Sequence, residues 1–342
     1  MVDTNHGVEF VGIRDVLDRY HLPGPHATVV MPVPPPGATD GDLHSRWRAL
    51  RNNLRRDGAT DAMLEHLDGA VATVPPHGET VLLTAAASSA AWCLLSSWVT
   101  GSSWHVGRVP WLIPALATLD ARETVVGAII DRVGADLVII SARGAEPAGE
   151  VTGDDEFVHK TTRGGWSQPR HQRHSEVIWD RNAHLVGTAL ADLGEQRSAG
   201  LALITGDERA VGLVAHRLDQ AHEIEAITVE RGGRHEPGTA TRLHSAAMEM
   251  MQQRHATRVR DQLERLDEEL AQQDRAIDGV LMTLEAISED RVATLFVDPE
   301  EAQYPLFDVA AMDALDHGAQ VVVVPGLGRR DGIAARLRFP YR

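Results

Sequence analysis

Short apolar blocks alternate with stretches of helical spacing along most of the chain, and this alternation predicts a mixed α/β protein. Ala27–Val33, Thr80–Thr84 and His105–Val109 read as strands, with proline-rich turns such as Val33-Pro34-Pro35-Pro36-Gly37 among them. Leu43–Asp57 puts Trp47, Leu50 and Leu54 on one face at i, i+3, i+7, which predicts a helix. A second segment opens with Glu123–Asp131 and Ala135–Ile140, two apolar runs divided by a short turn, the pattern of a β-hairpin. Asp131 reads as a turn residue rather than a nuclease carboxylate, because no partner set for two-metal chemistry accompanies it. Glu150 to Lys160 is a candidate third strand. The helix that follows, from His174 to Leu193, keeps the 3.6 period through Ile178, Leu185, Val186, Ala189, Leu190 and Leu193, with Asn182 breaking the apolar face. Leu201–Thr205 is a buried-type strand, Asp207–Leu218 a helix and Ala226–Val229 another strand.

A third segment begins with a long polar helix, Ala240 to Asp274, whose seam of Val259, Leu263, Leu266 and Leu270 reads as core packing rather than a dimer coiled coil. Then come a helix at Gly279–Ile287, strands at Val292–Val297 and Gln320–Val324, and a helix at Val309–Asp316. Arg329 to Arg342 is rich in arginine and reads as a solvated tail in preference to a further RNA contact. The fold class this implies is α/β (α+β), in three domains at residues 1–119, 120–238 and 239–342, within a length that suffices for two or three domains with real cores.

Charge changes that picture. The chain carries 33 basic and 49 acidic residues, a formal net charge of −16, so on average nucleic acid should repel it. Against that background the stretch Phe157 to Ser175 holds no Asp or Glu at all. It contains Lys160, the chain's only lysine, with Arg163, Arg170, Arg173, His159, His171 and His174. Gly164-Gly165 permits close backbone approach. Trp166 offers a stacking face for an unpaired base. Gln168 can donate and accept hydrogen bonds, and arginine pairs bidentately with phosphate. These residues make an arm suited to an RNA-walled cavity. Lys160, Arg163, Gly164, Gly165, Trp166, Ser167, Gln168, Arg170 and Arg173 are therefore candidate RNA contacts. The acid-free helix Leu43–Arg56 adds Arg48, Arg51 and Arg55.

Other chemistry is thin. One cysteine, Cys93, reads as a buried small hydrophobe and rules out a disulfide framework or multi-cysteine zinc site. The histidine spacing fits no metal motif, no G-x-x-x-x-G-K-[ST] phosphate loop occurs, and no cofactor is expected. Without a signal peptide or an apolar run long enough to span a bilayer, a cytoplasmic protein is expected.

Val125–Ile140, Gly164-Gly165-Trp166-Ser167-Gln168-Pro169-Arg170 with Arg173 and Glu176, and Gly279–Val297 together resemble the bacterial relatives of archaeal and eukaryotic class-1 peptide-chain release factors. Within that group the resemblance is to the actinobacterial branch that includes Balon-type ribosome hibernation factors. It implies a monomeric three-domain factor in the ribosomal A site, its central loop directed at rRNA of the peptidyl-transferase centre, with the elongation factor EF-Tu as a candidate partner. Release factors of the family carry Gly-Gly-Gln in that loop, where the Gln positions water for peptidyl-tRNA ester hydrolysis. Here Trp166 and Ser167 stand between Gly165 and Gln168. A water-positioning group has to sit within about 0.5 Å of its working geometry. The expectation is thus occupation of the site without peptide release. The alternative is a peptidyl-tRNA hydrolase or rescue factor using Gln168, echoing relatives with a Gly-Ser-Gln loop. An α/β enzyme outside translation is a third reading, for which no residue names a substrate.

Overall fold

The computed structural model describes residues 8–10, 13–18, 21–33, 40–74, 80–95, 101–119, 125–141, 144–153, 168–221, 224–230, 232–301 and 305–340. The chain forms two compact units, one made of Met1–Ala121 with His255–Arg342 and the other of Arg122–Arg254. The expected boundaries at 119 and 238 compare with unit boundaries at 121 and 254.

The first unit begins with a mostly antiparallel sheet. Its strands are β1 (Val8–Phe10), β2 (His26–Pro32), β3 (Thr80–Ala85), β4 (Ala90–Leu95) and β5 (Ser103–Gly107), in the order β1-β4-β3-β2-β5. β3 is buried along its whole length, which explains its unbroken Val81-Leu82-Leu83 run. On one face, helices α2 (Asp40–Arg56) and α3 (Asp61–Thr73) bury Trp47, Leu50 and Leu54 with Met63, Leu64 and Leu67 against Val29, Met31 and Leu83. Apolar periodicity picks out only the first of these helices. α3 is announced by its cap, since the Thr60 hydroxyl accepts from the Met63 N–H at 3.3 Å. On the other face lie α1 (Ile13–Asp18) and α4 (Ile113–Leu119) with Val16, Leu116, Leu82 and the buried Cys93.

The second unit holds β6 (Val125–Ile130), β7 (Gly134–Ser141), β8 (Gly144–Thr152), β9 (Leu201–Gly206) and β10 (Glu225–Thr228), ordered β10-β9-β6-β7-β8. β6, β9 and β10 run parallel; β7 and β8 run antiparallel to their neighbours. Helices α5 (Gln168–Arg197) and α6 (Glu208–Ala221) cover one face through Val186, Leu190, Val214 and Leu218. The start of α7 (Thr239–Gln272) covers the other with Leu243 and Ala247. The third strand thus lies earlier than the expected Glu150 to Lys160. Pro147 and Gly149 disguise it in the sequence. They are tolerated because β8 is an edge strand with a bulge opposite Leu137/Val138.

From His255 the chain counts with the first unit again. Here β11 (Ala276–Asp278), α8 (Val280–Ser288), β12 (Val292–Val297), α9 (Leu306–Asp316), β13 (Gln320–Val323) and β14 (Ile333–Leu337) build a sheet ordered β11-β14-β12-β13. Leu266 of α7 is fully buried against Phe296 and Val322, with Val259, Leu263 and Leu270 packed alongside, so the seam is core. The expectation of a solvated tail is corrected: Ile333–Leu337 is an interior strand between β11 and β12. Its arginine charge is matched at the rim, Arg336 with Glu269 at 3.0 Å and Arg338 with Asp290 at 2.7 Å. None of the described helices is long and apolar enough to cross a membrane.

Candidate functional site

The stretch singled out by charge lies between the end of β8, at one edge of the second unit's sheet, and the body of α5. β6, β9 and β10 end there, and because β7 and β8 are antiparallel, β7 starts and β8 ends at the same edge, Gly134 facing Thr152. Such carboxyl ends are where open α/β sheets commonly gather their functional loops.

The departure point is fixed by interlocking contacts. Asp131 accepts from the Val133 and Gly134 N–H groups at 2.8 and 2.7 Å, closing the β6–β7 turn in keeping with its place between two apolar runs. The Gly153 N–H donates to Val133 O at 2.6 Å, and Asn182 Nδ2 donates to Arg132 O at 3.0 Å. A Cβ on Gly153 would lie 2.2 Å from Asn182 Oδ1, and one on Gly134 would lie 1.9 Å from Val151 O. Both glycines are therefore required by close approach. In the sequence Asn182 is visible only as an interruption of α5's apolar face; its role is to tie that helix to the turn beneath the loop.

Beside this base is an open cleft of about 550 Å³ lined by Asp131, Asp207, Arg234 and Glu236 with Gly206, Gly232 and Gly233. Arg234, its side chain 8% exposed, binds Asp136 at 2.8 Å and Glu150 at 2.6 Å, with Asp131 at 3.6 Å. Burial opposes its charge, but these carboxylates outweigh burial and hold the guanidinium above its usual pKa. Arg132 pairs with Asp207 at 3.1 Å. Arg209 and Arg132 lie 4.6 and 5.4 Å from the centre of the Trp179 ring, at cation–π distance. Arg234, the cation that lines the cleft, is committed to the chain's own carboxylates, so the cleft suits bracing of the loop base rather than capture of phosphate.

Lys160, Arg163, Gly164, Gly165, Trp166 and Ser167 lie outside the described residues. Gln168, Arg170 and Arg173 fall in the first turns of α5, which runs for 30 residues; their side chains lie outside what is described. The other candidates sit on α2 in the first unit. Arg51 holds Asp68 through two contacts, at 2.9 and 3.0 Å, and that bond leads the effects that raise its pKa. Arg55 lies 3.4 Å from Asp61, while Arg48 is exposed and makes no ion pair among the described residues. No cluster of His, Cys, Asp and Glu able to hold a metal occurs among the described residues.

Residues 124–272 match the family model described as bacterial archaeo-eukaryotic release factor family 2. The match runs from the foot of β6 to the end of α7 and so takes in the sheet edge, the loop and α5. No curated protein matches the chain. Among solved structures, similarity extends to ribosome-bound archaeal Pelota with ABCE1, at 15% identity over 98% of this chain and 96% of that one, with a TM-score of 0.49. Pelota of Archaeoglobus fulgidus is 16% identical over 77% of this chain and 80% of its own, with a TM-score of 0.39. Dom34 of S. cerevisiae, a translation termination-like factor of RNA quality control, is 10% identical over 80% and 77%, with a TM-score of 0.42.

Proposed function

We propose that the protein is a release-factor-like factor that docks on the ribosome, occupies the A site and directs residues 157–175 toward the peptidyl-transferase centre without releasing peptide. The observation that carries this reading is a combination at one place. The acid-free stretch falls inside the family match, and it springs from a base locked by Gly153, Asn182 and the Asp131 turn. A rigid mount lets a short arm be presented with little loss of conformational entropy. Residues 120–238 deliver the arm in this reading, and 1–119 meet RNA elsewhere. Of the three α2 candidates Arg48, Arg51 and Arg55, Arg48 is best disposed for that contact, because Arg51 and Arg55 already hold carboxylates. The factor acts in the cytoplasm as a monomer, in dormant or stressed cells, with EF-Tu as a candidate delivery partner.

A hydrolytic reading has one observation in its favour: Gln168 is the first residue of α5, at the junction of arm and helix. Purified protein mixed with ribosomes carrying peptidyl-tRNA separates the two. Binding without chain release is expected. Release that disappears in Gln168→Ala would overturn the non-hydrolytic reading. Absence of ribosome binding by the unaltered protein would overturn both.

A further inference from the structure

α5 carries two opposite stripes. Ile178, Asn182, Ala183, Val186, Leu190 and Leu193 are buried toward the sheet. The reverse face presents Val177, Arg181, His184, Leu185 and Thr188, spaced i, i+4, i+7, i+8, i+11, all exposed to solvent. Leu185, which periodicity assigns to the core, is 43% exposed, and Val177 is 66% exposed. This face holds no Asp or Glu before Asp192. Asp180 is turned to α6, where it pairs with Arg217 at 2.9 Å. By the same period, position 176 lies on Asp180's side of the helix, off the stripe. Elsewhere in the same unit Arg132, Arg234, Arg242 and Arg254 are each held by a carboxylate. Arg181 and His184 have no such partner among the described residues. By helical periodicity, positions 170, 173 and 174 continue the stripe toward the arm. From 170 to 188 it is about 27 Å long at 1.5 Å per residue.

We infer that this face of α5 is a second RNA-contact ridge, in which Arg181 and His184 meet phosphates and Val177 and Leu185 pack on ribose or base faces. The inference rests on the ribosomal reading and extends it from the arm to the body of the helix. Its ground is charge complementarity. In a chain of net charge −16, a helix face exposed for about three turns from Val177 to Thr188 without an acid is one that a polyanion can approach. Excluding acids from a ridge that carries two exposed aliphatic side chains leaves phosphate free to approach along its whole length.

The test compares the full-length protein, Arg181→Glu with His184→Glu, and Arg170→Ala with Arg173→Ala. Each is assayed for co-sedimentation with ribosomes and for binding a short labelled RNA hairpin across a salt series. Since Arg181 and His184 are exposed, melting temperatures should be unchanged. An Arg181→Lys variant guards against a merely structural role for Arg181, and should keep most of the binding. The ridge variant is expected to bind both probes roughly tenfold more weakly. Its dependence of log K on log salt should be shallower by about 1 for each phosphate that is no longer neutralised. Wild-type-like binding by the ridge variant, with the arm variant impaired, overturns the ridge and leaves the ribosomal reading standing. Weaker ribosome binding with an unchanged salt slope and unchanged hairpin binding also overturns it, by pointing to ribosomal protein. Hairpin binding that depends on Arg181 without any ribosome binding supports the ridge and overturns the ribosomal reading. Binding of neither probe by the unaltered protein overturns both.

Discussion

At the residue scale, Asp308 is the most perturbed group of the first unit. It is 1% exposed, and its Oδ1 accepts from the N–H groups of Leu112 and Ile113 at 2.6 and 3.1 Å, capping the start of α4. Its Oδ2 is buried with no partner. Burial pushes its pKa up to about 6, against the backbone hydrogen bonds that pull it down. A carboxyl whose folded pKa is raised binds its proton more tightly in the folded state. Stability from this group is therefore fully present below the unfolded pKa of about 4, declines as pH rises toward about 6, and stays low above that. Asp308→Asn keeps an acceptor for the two N–H groups and removes the buried charge. Urea melts should show the variant gaining on the native protein by about 2–3 kcal/mol between roughly pH 4 and pH 7, at about 1.4 kcal/mol per pKa unit. A difference between the two that does not vary with pH would mean that Asp308 binds its proton equally well in the folded and unfolded chain, so that burial does not raise its pKa.

At the element scale, the base of the arm depends on one buried side chain reaching between a helix and a turn. Asn182→Ala leaves Arg132 O without its donor and opens space against Gly153, so it should lower stability by about 1–3 kcal/mol in equilibrium denaturation. A loss below about 0.5 kcal/mol would show that the turn is held by the Asp131 contacts and the Gly153–Val133 hydrogen bond without Asn182. The elements that carry this base are legible in the sequence because their patterns are local. The β6–β7 hairpin follows from two apolar runs and an Asp turn, and α7 from its length and period. β14 is not legible in the same way. Ile333-Ala334-Ala335-Arg336-Leu337 reads as a tail until Glu269, far away in sequence, neutralises Arg336. The same non-locality hides the state of Arg51, since the acid-free run Leu43–Arg56 of α2 says nothing of Asp68 on α3. Leu185 departs from its expected burial because it borders the apolar stripe. The helix's rotation against the sheet, set by tertiary packing, decides which border residue is covered.

At the scale of the whole molecule, the sign of the net charge and the proposed partner conflict, and the conflict makes a measurable prediction. A body of net charge −16 is repelled by rRNA out to roughly the Debye length, about 8 Å at physiological salt, whereas the arm's cations act within contact range. Adding salt screens the repulsion but also removes the entropy gained when phosphates release counterions. For direct contacts the second effect dominates, at a slope of about −0.9 per neutralised phosphate. Ribosome co-sedimentation should therefore weaken as salt rises, despite the acidic body. Arg170→Ala with Arg173→Ala should both weaken it and flatten the salt slope by about 2. Were repulsion from the body the controlling term, binding would instead improve with salt and the arginine variants would sediment like the native protein. That pattern would place the contact away from the arm.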